Sequence, residues 1–186
     1  ANEISKQNAL LVGLQEVDKF TNRNPHDQTV ELGKLLNMSP VFGKAIDGFG
    51  GEYGNAILSK LPILDKRHVI FKTFASGEYR SVVAIRTQVE KKTFWFSTVH
   101  LDWYKNETQM MQMRELKSFL NNLKKEFPKD EFIICGDFNS EPTSQLIKEF
   151  KGNEWTDVWE KSGNERGGTF PSWWIIRKRI DYIFVS

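Results

Sequence analysis

The 186-residue chain has a single cysteine, Cys135, which excludes an internal disulfide and a cysteine-rich zinc site. That residue lies inside an apolar run, where a thiol serves as packing rather than as a reactive group. No apolar stretch approaches the roughly 20 residues needed to cross a bilayer. The opening letters, ANEISKQNALLVG, lack a basic segment followed by a long hydrophobic one. A chain without stable membrane insertion is expected. A leader removed before Ala1 would leave no trace, so the compartment stays unassigned. Excess charge is missing too: 26 Lys and Arg against 24 Asp and Glu give a net +2, short of the basic excess of a strong nonspecific nucleic-acid binder. Any anion binding must be local. Internal repeats, low-complexity tracts and interdomain linkers are also absent, so one domain over 1–186 is expected.

What the chain does have is apolar runs of strand length. They are LLVGL (10–14), AIL (56–58), SVVAI (81–85), TFWFSTVHL (93–101), FIIC (132–135) and IDYIFV (180–185). Their Val, Ile, Phe and Trp content favours strands, and several are continuous rather than alternating, which implies cover on both faces. In the fourth run Phe94, Phe96 and Thr98 point opposite to Trp95, Ser97 and Val99. The clearest helix falls over 107–126, where Met113, Leu116, Leu120, Leu123 and Phe127 repeat at spacings of three and four. Asn106 is its expected N-cap and Gln109 its capping-box residue. Shorter helices are expected over 27–36, with Val30, Leu32, Leu35 and Leu36 inward, and over 142–150, with Pro142 at the first position. Met110, Met111 and Met113 read as core filler. Loops are expected at 47–55, 74–80 and 161–174, and long Gly-rich loops on a sheet scaffold are where binding groups tend to gather.

Polar residues cluster at the strand ends. Gln15 and Glu16 follow the first run, Asn55 precedes the second, His100 and Asp102 close the fourth, Asp137 and Asn139 close the fifth, and Asp181 opens the last beside Arg179. If the strands share one sheet or two packed sheets, these ends converge in one cleft. The set is rich in oxygen and free of sulfur, which suits a hard divalent cation, Mg²⁺ first and Mn²⁺ or Ca²⁺ as alternatives. Mg²⁺ takes one or two carboxylates and leaves its other positions to water and phosphate, so the matching substrate is a phosphate ester.

The motifs LQEVD, YGNAILSK, STVHLD, GDFNSEP and RIDYIFVS, in this order from residue 10 to 186, resemble those of the endonuclease/exonuclease/phosphatase superfamily with its deoxyribonuclease-I-like fold. The resemblance implies an α/β (α+β) architecture: a four-layer αββα sandwich of two mixed β-sheets flanked by helices, with the cleft at one end. It also implies a Mg²⁺-dependent hydrolase of phosphate esters, most simply a monomeric phosphodiesterase or nuclease-like enzyme using metal-cleft water. By the same resemblance Glu16 is the metal ligand and His100 contacts and neutralises the scissile phosphate. Asp137 orients or activates the water, Asn139 binds phosphate or nucleophile, and Asp181 supports the site. Asn55 and Arg80 line the cleft as substrate-binding groups. The family also has a first strand carrying an Asn and a closing Ser-Asp-His whose His is the general base. Neither occurs in these 186 residues, so an incomplete record of a longer protein is expected.

Plainer readings stand beside these. Glu16 reads equally as a turn carboxylate, His100 as a core histidine, Asp137 and Asn139 as an Asx turn capping the next helix, and Asp181 as the partner of Arg179. His26 and His68 read as structural. The basic run 177–179 is either solvated or phosphate-steering, and Trp173 and Trp174 either stack on substrate or cover the sandwich edge. The same fold hosts nucleases, lipid phosphodiesterases and inositol-phosphate phosphatases. The substrate alternatives are therefore nucleic acid, inositol phosphate or a lipid headgroup. The functional alternative is a silent module binding a phosphorylated ligand or a protein.

Overall fold

A computed structural model describes residues 1–75, 77–163, 167–171 and 178–186. A short α1 (Asn2–Lys6) leads into β1 (Leu11–Lys19), α2 (Gln28–Leu36) and a hairpin of β2 (Ser39–Gly48) and β3 (Gly51–Ser59). Then come β4 (Ile63–Ile70), β5 (Ser81–Val89), β6 (Lys92–His100) and the long α3 (Asn106–Glu126). The chain continues through β7 (Glu131–Asp137), α4 (Gln145–Lys151), β8 (Thr156–Asp157), α5 (Val158–Lys161) and β9 (Asp181–Val185). The first three strands form one antiparallel sheet in the order β1-β3-β2, and the rest form a second in the order β4-β5-β6-β7-β9-β8. In the second sheet β6 and β7 run parallel, which requires a crossover, and α3 supplies it.

Two apolar layers hold these sheets. Ile57, Val83, Ile85 and Phe96 form a core with Leu11, Val41 and Phe94 packed against it, joining residues of both sheets. Trp95, Val99, Ile134 and Phe184 on the second sheet meet Met113, Leu116, Leu120 and Leu123 of α3 and Phe150 of α4. The expected alternation along β6 is therefore real: Phe94 and Phe96 face the other sheet while Trp95 and Val99 face the helices. With α2 against the first sheet, the layers are helix, sheet, sheet, helix, as the resemblance implied.

Several local expectations need correction. On α2 the buried residues are Thr29 and Gly33, while Val30 and Leu35 are exposed. A Cβ on Gly33 would come within 2.8 Å of the Met38 carbonyl, so the helix makes its closest approach at this small residue, with Leu32 and Leu36 half-buried. The stretch 47–55 is a hairpin, not a loop. Phe49 and Gly50 both take positive φ, +55° and +81°, the conformation of the tight turn whose twist matches the flanking strands. Asn106 is the first helical residue of α3, whose N-cap is Lys105 without a side-chain bond, and Gln109 spends its side chain elsewhere. Met113 is fully buried as expected, but Met111 is half exposed. Helix α4 begins at Gln145, capped by the Ser144 hydroxyl, three residues after Pro142. Trp173, Trp174 and Arg177 lie outside the described residues.

Candidate active site

The site is built on one row of the second sheet. Ser81 of β5 is the register partner of His100 on β6, His100 of Asp137 on β7, and Asp137 of Asp181 on β9. Four strand ends thus deliver their polar residues side by side, with adjacent strands about 5 Å apart. Arg80 precedes the row and is almost fully buried. Its Nη1 lies 3.2 Å from His100 Nδ1 and 3.3 Å from a Glu78 carboxylate oxygen. Its buried Nε has no hydrogen-bond partner among the described residues.

The first sheet reaches this row through a bulge. Leu14 pairs with Ala56 and Val17 with Gly54, so Gln15 and Glu16 together oppose Asn55. Glu16 adopts φ +58°, a left-handed conformation that a non-glycine residue holds only under local constraint, and it is exposed. Gln15 donates across the sheets to Thr98 Oγ1 at 2.6 Å. Asn55, 2% exposed, donates to the Ser81 carbonyl at 2.8 Å and to its hydroxyl at 3.1 Å. Asn55 is therefore a staple between the sheets beneath the site, its donors already committed.

The loop after β7 completes the set. Asn139, at φ +48°, donates its backbone N–H to Asp137 Oδ1 at 2.7 Å, an Asx turn. Its Nδ2 donates to the Leu101 carbonyl at 2.9 Å, which fixes the amide, and lies 3.2 Å from His100 Nε2. The Asx-turn reading of these two residues is correct, but they cap no helix. All seven expected site residues fall within this connected arrangement. The plain reading of Asp181 fails, because Arg179 is buried against Asp157 at 2.8 Å.

Electrostatics follow from the crowding. His100, 5% exposed, is held neutral, its pKa pushed down to about 3 by burial and then by the Arg80 charge. A protonated ring would set its Nδ1–H against the Arg80 guanidinium, while Nε2 faces both Asn139 Nδ2 and, at 3.8 Å, Asp137 Oδ2. Asp137 is pushed up to about 7 by burial first, then by the charges of Asp181 and Glu16. Asp181 is raised by burial, with a bond from Thr169 opposing. Three carboxylates that repel one another suit a bound cation. Among the described residues no three His, Cys, Asp or Glu side chains converge closely enough to hold one alone. An oxygen-only set of that kind fits Mg²⁺, which keeps several waters, better than an ion needing a full protein cage.

Sequence reasoning missed the supporting residues: Ser81, Thr169, and above all Gln109 and Gln112 of α3, 5% and 0% exposed. Two amides three residues apart on the apolar stripe of a helix were the available signal. Beside the row, a cavity of about 470 Å³ lined by Gly13, Gln15, Cys135 and Ile183 opens next to Asp181.

Comparison with solved structures places this fold among known proteins. The human nocturnin catalytic domain with bound sulfate superimposes with a TM-score of 0.78 at 20% identity, covering 100% of this chain and 72% of that one. A mannosyl-6-phosphatase of Bacteroides thetaiotaomicron gives 0.80 at 18%, covering 100% and 74%. TDP2 of D. rerio complexed with a single-strand DNA product gives 0.71 at 19%, covering 99% and 73%. No curated protein sequence matches the chain. The Endonuclease/Exonuclease/phosphatase family profile matches residues 1–186. The chain therefore belongs to this family of hydrolases acting on phosphate esters.

Proposed function

We propose that this protein is a divalent-metal-dependent phosphodiester hydrolase, Mg²⁺ being the metal its oxygen donors suit best. The observation that carries the reading is the row of His100, Asp137 and Asp181 on adjacent strands, with Glu16 brought to it by the bulge in the other sheet. In this reading Glu16 would hold the metal, which would supply positive charge for the phosphoryl oxygens of a bound ester. Asp137 orients the attacking water, its carboxyl raised by burial and by the charges of Asp181 and Glu16 in the absence of metal. Asn139 fixes substrate or nucleophile and Asp181 supports Asp137.

His100 contributes a hydrogen bond rather than charge, because its ring is neutral. The permanent cation beside it is Arg80. This shifts the neutralising role that the family pattern assigns to the histidine onto the arginine. Attack is in line with the leaving oxygen, with no covalent intermediate.

The structural relatives include an anion-bound catalytic domain, a sugar phosphatase and a DNA product complex, so the ester's organic part is left to a substrate panel. The test is turnover of bis(p-nitrophenyl) phosphate with Mg²⁺. Glu16→Gln and Asp137→Asn are each expected to lower kcat at least about 10²-fold, the scale for removing a group that acts in the transition state. Undiminished rates in both variants would sink the assignment, and binding of phosphate without any turnover would favour a silent module.

A further inference from the structure

Helix α3 enters the site through one buried side chain. Gln109 Nε2 carries two hydrogens and donates both, to the Asp102 carbonyl at 2.6 Å and to the Asn139 carbonyl at 2.9 Å. Its Oε1 faces the Ser140 hydroxyl at 3.5 Å. One amide therefore ties the loop after His100 to the loop after Asp137. Those loops touch again through Asn139 Nδ2, which bonds the Leu101 carbonyl and faces His100. Asn139 takes a left-handed backbone, which asparagine adopts more readily than other non-glycine residues, and its local bonds hold it there. The Asx bond to Asp137 fixes its N–H, and Gln109 fixes its carbonyl. The next helical turn repeats the device: Gln112 accepts from Asp102 N–H and donates to the Thr73 carbonyl. That second amide does not reach Asn139.

We propose that Gln109 is a positioning residue of this site, holding the Asn139 backbone so that the Asn139 amide stays against His100 and the Leu101 carbonyl. The inference rests on the functional reading above. It assigns Gln109 no contact with substrate. Its effect passes through Asn139, so it belongs in kcat, where a displacement of about 1 Å costs on the order of 10²-fold.

The test is a double-mutant cycle on the full chain with bis(p-nitrophenyl) phosphate and Mg²⁺, combining Gln109→Leu with Asn139→Ala. Gln109→Leu is expected to lower kcat about 10- to 100-fold, with KM changed less than threefold. In the Asn139→Ala background the same substitution is expected to cost less than threefold more. Gln109→Met loses the same two donors with a better length match, and it carries the cycle if the leucine variant does not fold. Losses that multiply in the double mutant overturn the proposal, because a general loosening of the fold acts whether or not Asn139 is present. So does a fully active Gln109→Leu. If Asn139→Ala and Asp137→Asn are both fully active, the functional reading falls and this inference with it. If those two are impaired while Gln109 acts independently of Asn139, only this inference falls.

Discussion

Asp137 and His100 are register partners whose pKa values move in opposite directions, and each leaves a signature in the stability curve. The Asp137 carboxyl ionises near 7 in the folded chain against an ordinary 3.8. Its stabilising protonated form is fully present below about 4 and is lost as pH rises through 7. Asp137→Asn cannot ionise but keeps an oxygen for the Asn139 N–H. With divalent metal removed by chelator, it is expected to melt several degrees above the parent at pH 8 and level with it near pH 4. A melting difference that does not vary with pH contradicts this.

His100 titrates near 3 against an ordinary 6.5. Over that window the unfolded chain binds the extra proton, so stability rises with pH and is complete above about 6.5. His100→Gln is expected to flatten the acid limb of the denaturation profile, measured as unfolding free energy from pH 4 to 7. An unchanged acid slope contradicts this. Between 4 and 6.5 the two residues oppose each other, so the parent protein alone reveals neither. The letters GDFN and STVH announced that these positions carry chemistry. The signs of the shifts were not legible, because they depend on which strand end each residue faces.

At the scale of elements, the sequence was informative wherever one face of an element is buried and less so elsewhere. The stripe of Met113, Leu116, Leu120 and Leu123 marked α3, and the continuous runs marked β5, β6, β7 and β9. Strands β2 and β4 escaped notice because they are edge strands, partly exposed and interrupted by Lys44, Asp47, Asp65 and Arg67, and edges commonly carry charge. The start of α3 was misjudged because Gln109, expected to complete a capping box, serves tertiary contacts instead, and α4 starts later than expected because the Ser144 hydroxyl caps it.

Gly136 shows how tightly an element is fitted to the site. It takes φ +145°, and a Cβ there would stand 2.0 Å from the Val99 carbonyl on the parallel neighbour. Gly136→Ala must therefore push β7 away from β6 and shift Asp137 from His100. Backbone strain alone is worth roughly 1–3 kcal/mol. A lower urea midpoint is expected together with lost turnover, and an unchanged midpoint contradicts the fit.

Across the whole molecule, the site exists only because two sheets meet there. Glu16 comes from the first, and His100, Asp137 and Asp181 from the second, while Asn55 bonded to Ser81 and Gln15 bonded to Thr98 hold the sheets in register. Motif order alone suggested that these residues belong together. It could not disclose the single register row, since that depends on long-range pairing. A cation held between groups of both sheets binds the folded chain and not the unfolded one, so it raises stability by RT ln(1 + [L]/Kd). At a hundredfold excess over Kd this is about 2.7 kcal/mol, a rise of roughly 5–10 °C for a chain of this size. Mg²⁺ is therefore expected to raise the melting temperature of the parent by that amount over KCl of equal ionic strength. The rise should be largely absent in Glu16→Gln, whose exposed side chain keeps its length and a hydrogen-bonding oxygen for Tyr53. An equal rise in both proteins would mean that the cation binds elsewhere. Because melting is read without substrate, this separates loss of the metal from loss of the chemistry that Asp137 performs.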